Sequence, residues 1–476
     1  MITPGMVEAI RTQLSTLRDA ILDRERQFAT ELSLAHEVHR ERARNLVHFL
    51  AYRDCHIEEL EPRLEALGLD PLRDVEWNVL QRTNNVLWRL NEMSGMAGTS
   101  PGFDDHSDQP SGREMLRKRT DALFGPPPAR RDARIMVTLP AESADDPDII
   151  KSYLDAGADC FRINCARDNP EIWKRCIDRI PRTGTDGTHP KIFMDLGGSK
   201  LRVSSCAGAK DGIRLERGDT LSVSVNVSPF NSEDEPAGHA IAVSDPSGLR
   251  EVSPGHHIWF DDGKIGGIVK KVGAHAIEVE VTYVRKGARR LRRERGVNLP
   301  DTMLRLPAMT DKDHEDLLFA VRHADFLALS FVRTPSDVDQ FRRALLAATE
   351  KPPAMVIKIE TREALQNIPR LMLAGMRQER VAMLIARGDL AVECGMLEMP
   401  RIQRDMLRYC AAASLPLFWA TGVLERMSRT GEATRAEVTD AAYAAHAQCV
   451  MLNKGPGTGD ALSFLGTLLE RGNESI

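Results

Sequence analysis

Apolar residues near the start of the chain recur at the spacing of packed helices. One set alternates steps of three and four residues, as in the seam of a coiled coil, while Arg and Glu fill the other faces. That set is Val7, Ile10, Leu14, Leu17 and Ile21. Similar spacing continues around Leu60 and Leu87. We predict an α-helical module over residues 1–94 that serves packing or self-association or, as the alternative, binds a partner.

A stretch with almost no apolar residues follows this helical pattern. The sequence from Gly95 to Gly112 is rich in Gly, Ser, Asp and Pro, a composition that does not form a packed core. We predict a linker over residues 95–130, which ends just past the three prolines Pro126–Pro128.

Beyond the prolines, short apolar runs alternate with amphipathic stretches of helical spacing. Eight runs are typical of buried strands: RIMVTLP, DCFRINC, KIFMDLG, DFLALSF, AMVIKIE, VAMLIAR, LPLFWAT and QCVMLNK. Strands that alternate with helices in this way predict an α/β fold, a (β/α)₈ TIM barrel over residues 131–202 and 298–476.

The alternation breaks between the third and fourth runs. Short segments such as TLSVSV, HHIWF and AIEVEV alternate apolar and polar residues there, so we predict a small inserted β-barrel over residues 203–297. An insertion on this loop lies over the active-site face of a TIM barrel, where it can act as a lid. Its return segment RKGARRLRRERGVNLP is densely basic, which indicates either a solvated charge run or attraction of nucleotide phosphates.

Composition narrows the functional classes. A hydrophobic content of 42% with 28% charged residues is ordinary for a globular protein, and a formal charge of -5 argues against a general nucleic-acid binder. The eight cysteines form no C-x-x-C pair and no disulfide-like framework, which fits a reducing compartment. Without a signal-like segment or a long apolar run, we expect a cytoplasmic location and no membrane partner.

Polar residues end several of the predicted barrel strands, where TIM barrels build their active sites. Lys358 and Glu360 end the fifth run, and Asp389 follows the sixth. Two carboxylates at strand ends can hold a hard divalent cation such as Mg²⁺, and a nearby lysine can neutralise a phosphoryl oxygen or an enolate. The combination predicts chemistry on a small phosphorylated or enolisable acid.

Several motifs in one order carry a family resemblance. FRIN and MDLGGSKLR, then RGVNLP, KIE, ARGDL, AT followed by LERM, and TRAEVTDAA resemble pyruvate kinase over roughly residues 132 to 476. The resemblance implies a phosphoenolpyruvate/pyruvate-type barrel with a β-barrel lid. It also implies transfer of a phosphoryl group from phosphoenolpyruvate to ADP, with Mg²⁺ or Mn²⁺ as cofactor.

The resemblance also implies roles for single residues. Glu360 and Asp389 match the metal ligands, and Lys358 matches the cation that stabilises the transferring group and the enolate. Arg162 is similar to a phosphate-contacting arginine, and Thr421 to the threonine near the carbon that is protonated. The turn expected to bind the substrate carboxylate comprises Arg387, Gly388 and Asp389, with Thr421 beside it. The basic groups expected near the nucleotide are Arg167, Arg202 and Arg295.

The monovalent-cation site of the family is altered in this sequence. Asn164 and Asp195 match two of its ligands, but Ala166 and Leu196 stand where the family usually has hydroxyl groups. Lys200 occupies the position at which K⁺-independent members have lysine, so its ammonium can supply the missing charge. We predict that K⁺ is not required.

Other departures gather on the nucleotide and proton-delivery sides. Arg167 replaces a histidine, Gly422 replaces a glutamine, and Asn453–Pro456 replaces the Ser-Gly-Glu-Thr segment of the family. The chain ends soon after the eighth run, so we expect no C-terminal allosteric domain, and a homo-oligomer that could form through the N-terminal helices.

Two alternatives to a kinase stay open at this point. A metal-dependent lyase or aldolase that stabilises a pyruvate enolate would use Glu360, Asp389 and Arg162 without a nucleotide. A non-catalytic sensor of phosphoenolpyruvate or pyruvate would use the helical module to transmit occupancy. The lid and RGVNLP argue against the lyase, and Lys358 argues against the sensor.

Overall fold

A computed structural model of the protein describes residues 4–55, 57, 59–96, 111–181, 189–207, 211–225, 239–287 and 290–473. Its N-terminal part is helical. The helices are α1 (Pro4–Gln27), α2 (Ala29–Ser33), α3 (Arg40–Asp54), α4 (Glu61–Ala66), α5 (Val79–Met93) and α6 (Gly112–Phe124). Short 3₁₀ turns lie at Glu37–His39 and Val75–Trp77.

The next elements alternate between strand and helix and then become all strand. The alternating part comprises β1 (Arg134–Thr138), α7 (Pro147–Asp155), β2 (Cys160–Asn164), α8 (Pro170–Arg179) and β3 (Lys191–Leu196). The all-strand part comprises β4 (Val203–Cys206), β5 (Ile213–Arg214), β6 (Thr220–Ser224), β7 (His239–Val243), β8 (His257–Phe260), β9 (Ile265–Val272), β10 (Ala276–Val284), β11 (Arg290–Leu291) and β12 (Val297–Asn298).

Alternation resumes to the end of the described chain. The elements are α9 (Asp311–Ala320), β13 (Phe326–Leu329), α10 (Pro335–Ala348), β14 (Ala354–Ile359), α11 (Arg362–Gly375), β15 (Val381–Ala386), α12 (Arg387–Cys394), α13 (Met399–Ala413), β16 (Leu417–Ala420), α14 (Glu425–Thr430), α15 (Arg435–Ala444), β17 (Cys449–Leu452) and α16 (Thr458–Asn473).

Eight parallel strands close into a barrel in the order β1-β17-β16-β15-β14-β13-β3-β2. Each of them corresponds to one predicted apolar run, so the predicted TIM barrel is confirmed. The strands are apolar almost throughout because interior side chains fill one face and helices cover the other. Polar side chains enter at the strand ends, where Asn164 on β2 pairs in register with Asp195 on β3.

The inserted strands form a second, barrel-like sheet. Seven of them pair in the order β12-β8-β9-β10-β6-β7-β4, and β5 pairs separately with β11. The sheet encloses its own apolar cluster, which includes Val223, Phe260 and Val279. The predicted small β insertion is therefore present. It joins the barrel through two neighbouring chain segments, which meet at a bridge between Arg202 and Gly296.

The helical module packs on the outside of its own barrel. The predicted seam of α1 is buried and faces α3 and α5. From α3, Arg42 and Asn45 each donate a 2.9 Å hydrogen bond to the carbonyl of Ala412 in α13. Arg119 of α6 donates to the carbonyls of Ala413 and Ser414, each at 2.9 Å. Side chains of the helical module thus cap the C-terminal carbonyls of the barrel helix α13, and these hydrogen bonds fix the module in one position.

The predicted linker differs from the structure over its second half. Ser111 and Glu114 form a capping box that begins α6, and α6 carries its own apolar face. At its end, the Phe124 ring lies 4.7 Å from Phe326 and 5.2 Å from Phe418, so α6 closes the N-terminal end of the barrel. Residues 97–110 of the predicted linker lie outside the described residues.

Candidate active site

The polar strand ends surround a cavity of about 150 Å³ at the C-terminal end of the barrel. We call it the barrel cavity. Its polar lining residues are Arg162, Asn164, Asp195, Lys200, Arg202, Ser330, Lys358, Glu360, Asp389 and Thr421. They come from six strand ends and from the segment just before the insertion. The cavity therefore gathers most of the site residues that the sequence predicted, from positions up to 259 residues apart, between Arg162 and Thr421.

Asp195 is the centre of the charge arrangement. Its carboxylate accepts hydrogen bonds from Arg162 Nη2 at 2.6 Å and from Lys358 Nζ at 2.9 Å. Burial alone would raise the pKa of Asp195, but the Lys358 and Arg162 charges hold that pKa below its ordinary value. The sequence predicted Asp195 as part of a monovalent-cation site or its replacement. In the structure, its carboxylate oxygens contact two positively charged side chains, Arg162 and Lys358.

Lys358 is buried and held on three sides. Its ammonium donates to Ser330 Oγ at 2.7 Å and lies 3.1 Å from Glu360 Oε1, in addition to its contact with Asp195. Burial alone would lower the pKa of Lys358, but Asp195 and Glu360 raise it above its ordinary value. The side chain is thus kept charged and fixed, the state in which a cation can stabilise negative charge that develops on a ligand.

Glu360 and Asp389 are two further carboxylates in the lining of the barrel cavity. Burial raises the pKa of Glu360, and the Asp389 charge adds to this effect against the opposing Lys358. A divalent cation would relieve that repulsion, and Mg²⁺ usually takes one or two carboxylates together with water and substrate oxygens. Across the described ranges, no three His, Cys, Asp or Glu side chains form a complete metal-binding group. The pair therefore fits Mg²⁺ as a partial ligand set.

Lys200 bridges the barrel and the insertion. Its ammonium lies 2.8 Å from Asp389 and 3.3 Å from Asp262, and 5.1 Å from the ring centre of Phe331. Burial would lower the pKa of Lys200, but Asp389 and Asp262 raise it. A side chain at Gly296 would collide with Lys200, since a Cβ there would lie 2.5 Å from Lys200 Cε. The glycine of RGVNLP thus makes room for this lysine.

Thr421 and Gly388 meet at the edge of the cavity. Thr421 has a φ of 70°, a conformation that a β-branched residue rarely adopts, and such strain persists where the surroundings enforce it. A Cβ at Gly388 would lie 2.6 Å from Thr421 Cγ2. Arg387 points away from the cavity. Its guanidinium donates to the carbonyl of Thr421 at 2.7 Å and pairs with Asp440.

Two predicted nucleotide contacts lie outside the barrel cavity. Arg167 is exposed on the loop after β2, and Arg295 lies against Asp261 of the insertion. Arg202 does line the cavity, where its guanidinium donates to the carbonyl of Glu294 at 3.2 Å.

Three polar contacts in or beside the cavity were not predicted from the sequence. Ser330 and Phe331 end the fourth strand run, and the Phe331 N–H donates to Glu360 Oε2 at 2.7 Å. Thr138 ends the first run and accepts from Arg162 at 3.0 Å. A small hydroxyl at a barrel strand end was the available signal in two of these cases.

A family model described as the pyruvate kinase barrel domain matches residues 130–461. The fold and the site thus define a TIM barrel with an inserted, barrel-like β sheet and a charged cavity at its C-terminal end. The chain belongs to the pyruvate kinase family.

Named relatives agree with this family. Pyruvate kinases of Staphylococcus saprophyticus and of Staphylococcus aureus strain USA300 are each 32% identical to the chain over 317 residues. The match covers 66% of this chain and 51% of each relative, so the chain spans about half the length of the curated relatives it matches. Among the helices in the described ranges, none has the length and apolar character to span a membrane.

Proposed function

We propose that the protein transfers the phosphoryl group of phosphoenolpyruvate to ADP, or to another nucleoside diphosphate, and so forms pyruvate and ATP. The observation that carries this proposal is the buried Lys358, fixed by Asp195, Ser330 and Glu360 in the barrel cavity. A fixed cation stabilises the charge of a transferring phosphoryl group and of an enolate. Membership of the pyruvate kinase family supports the same reaction.

In this proposal, the bond between phosphorus and the enol oxygen of phosphoenolpyruvate breaks as a terminal oxygen of ADP binds the phosphorus. Lys358 and Arg162 neutralise the phosphoryl oxygens, and Lys358 also stabilises the enolate that remains. The enolate then takes a proton at its methylene carbon, on the side of Thr421, and becomes pyruvate. Phosphoryl transfer requires mainly positioning and charge neutralisation, which these residues provide.

The substrate carboxylate is assigned to the start of α12. The N–H groups of Gly388 and Asp389 belong to the first turn of this helix and have no partner within the helix. Arg387 would act as a positioning residue, because it holds the carbonyl of Thr421 and does not line the cavity. Thr421 would thereby be kept against Gly388 and beside the substrate.

Glu360 and Asp389 would hold Mg²⁺ or Mn²⁺. When bound, the cation supplies further neutralisation of phosphoryl charge. The proposal excludes a requirement for K⁺, because the Lys200 ammonium already brings a positive charge to the cavity that Asn164 and Asp195 also line.

The acceptor nucleotide is assigned to the lid side of the cavity, with Arg202 as its contact and Arg167 and Arg295 as further cations. The lid is proposed to comprise residues 203–297, which agrees with the bridge between Arg202 and Gly296 at its base. The cytoplasmic location and the homo-oligomer stay predictions.

Pyruvate formation from phosphoenolpyruvate tests the proposal. With Mg²⁺, we expect pyruvate to form only when a nucleoside diphosphate is present, and Lys358→Met to lower turnover by about a thousandfold. Lys351→Met is the matched control, since Lys351 is exposed on the loop before β14 and should leave turnover unchanged.

Potassium chloride replaced by tetramethylammonium chloride at constant ionic strength should leave turnover unchanged. Pyruvate formation without a nucleotide would favour a lyase. Binding of phosphoenolpyruvate without any turnover would favour a sensor.

A further inference from the structure

A second charged cavity lies on the lid, beside the barrel. It is an open cleft of about 660 Å³. Among the described residues that line it, eight are Arg or Lys and one, Asp261, is acidic. We call it the basic cleft. Its lining shares no residue with that of the barrel cavity.

The cations of the basic cleft are only partly compensated. Asp261 is shared by Lys264 at 3.1 Å and Arg295 at 3.4 Å. Arg214 has a partner in Glu216 at 3.3 Å, and Arg429 of α14 pairs with Glu425. Four cations have no carboxylate partner in the part of the chain that the structure describes. They are Arg285, Lys286, Arg290 and Arg292.

Strand pairing brings two of the arginines directly opposite each other. In the ribbon of β5 and β11, Arg290 pairs with Arg214, while Leu291 and Ile213 on the other face are buried. Like charges directly opposite on a strand pair destabilise it. The protein thus holds two like charges opposite each other on a framework that the Leu291–Ile213 contact anchors. An anion between the two guanidinium groups would reduce their repulsion.

We propose that the basic cleft binds a small polyanion that carries two or more phosphate groups, at a site separate from the barrel cavity. Several spaced cations can contact more phosphates of a ligand that carries two or more than of a ligand that carries one. Arginine pairs with phosphate oxygens through two parallel hydrogen bonds. Arg429 places the barrel on one wall, so the ligand contacts both the lid and the barrel. The site shares Arg295 with the proposed nucleotide contacts, and its other seven cations have no role in the proposed kinase reaction.

The basic cleft is connected to the barrel cavity through two consecutive aspartates. Asp261 faces the cleft through Lys264 and Arg295, and Asp262 reaches Lys200 at 3.3 Å in the cavity. Both have a positive φ, 51° and 53°, so the turn that carries them is held in a conformation that few residues adopt. A phosphate in the cleft would compete with Asp261 for Arg295.

Direct binding of tripolyphosphate to the full chain tests the site by calorimetry, in about 0.1 M salt without Mg²⁺. We expect Arg290→Gln combined with Arg292→Gln to weaken binding about tenfold or more. The matched control is Lys270→Gln with Lys271→Gln, two exposed lid lysines paired with Glu280 and Glu278. The control removes the same charge from the same domain and should change the affinity less than about twofold.

Three further measurements test which cavity binds the ligand, whether Arg290 and Arg214 repel each other, and which phosphate compound binds. Lys358→Met should bind tripolyphosphate as the wild type does, because Lys358 belongs to the other cavity. Arg290→Gln alone should leave the melting temperature unchanged or raise it, since it removes the repulsion with Arg214. A nucleoside triphosphate and a sugar bisphosphate, tested in parallel, identify which phosphate compound binds more tightly.

Several results would overturn the proposal. These are the absence of tripolyphosphate binding, an equal loss in the Lys270/Lys271 control, loss in Lys358→Met, or tighter binding of a single-stranded RNA with the same dependence on Arg290 and Arg292. Because the readout is binding and not turnover, an inactive enzyme that still binds tripolyphosphate in the cleft would reject the kinase proposal and keep this one.

Discussion

The barrel cavity and the basic cleft are both rich in charge, but they compensate it differently. In the cavity, Arg162 and Lys358 contact Asp195, and Lys200 contacts Asp389. In the cleft, Arg290 and Arg292 contact no carboxylate among the described residues, and Arg290 faces another arginine. The cavity is buried and internally paired, whereas the cleft is open and only partly paired.

The two patterns of charge compensation suit different functions. Buried ion pairs fix the positions of side chains, since leaving one partner without the other is costly in a low-dielectric site. A cavity of this kind can hold charges in place for chemistry. Exposed cations are screened by salt and move more freely, so they suit reversible attraction of an anion.

Removal of the central carboxylate of the cavity should have the largest effect on stability. Asp195→Asn leaves Lys358 and Arg162 buried without their shared counter-charge, so we expect the free energy of unfolding to fall by about 3–5 kcal/mol. Urea denaturation measures this change. The comparison variant is Asp262→Asn, whose carboxylate is 66% exposed and should contribute less than about 1 kcal/mol. Equal losses in the two variants would contradict the contrast between paired burial and surface charge.

Acidification should act on the cavity through Glu360. Burial raises the pKa of Glu360 above its ordinary value of 4.5, whereas the pKa of Asp195 is lowered and its carboxylate stays ionised. As the pH falls through the raised value, Glu360 takes up a proton, and its proposed contribution to Mg²⁺ binding is lost. At a subsaturating Mg²⁺ concentration, turnover should therefore fall on acidification, and more Mg²⁺ should shift this fall to lower pH, while circular dichroism shows a folded protein. A fall in turnover whose midpoint does not move with the Mg²⁺ concentration would be inconsistent with this assignment.

A smaller effect is expected at the edge of the cavity. Gly388→Ala places a methyl group 2.6 Å from Thr421 Cγ2, so Thr421 must move away from its strained position. Misplacement of this kind should lower kcat/KM for phosphoenolpyruvate by about ten- to a hundredfold. The matched control is Gly466→Ala in α16, where a new methyl group meets no atom within 4 Å. Similar activity in both variants would remove Thr421 from the site.

The barrel and its charged strand ends could be predicted from the sequence because both follow local rules. Eight apolar runs have the length of strands, and polar residues at their ends converge in any barrel of this type. Lys358, Glu360 and Asp389 were found in this way. Ser330 and Phe331 were not, because the Ser330 hydroxyl and the Phe331 N–H show their roles only when their partners, Lys358 and Glu360, are in place.

The packing of the N-terminal part could not be predicted for a related reason. The apolar seam of α1 predicts that this face of the helix is buried, but apolar spacing does not identify the elements that pack against it. Contacts such as Arg42 with Ala412 join positions 370 residues apart. Phe124 lies inside the predicted linker, and only the closed barrel provides the aromatic rings that bury it.

Exchange of the methyl protons of pyruvate for deuterium reports the enolate that Lys358 is proposed to stabilise, so it is the decisive measurement for the role of this lysine. Proton NMR in D₂O with Mg²⁺ and ATP follows the exchange. We expect exchange with the wild type and with Lys351→Met, and a rate at least about a hundredfold lower with Lys358→Met. No exchange with the wild type, or equal exchange with Lys358→Met, would contradict this role.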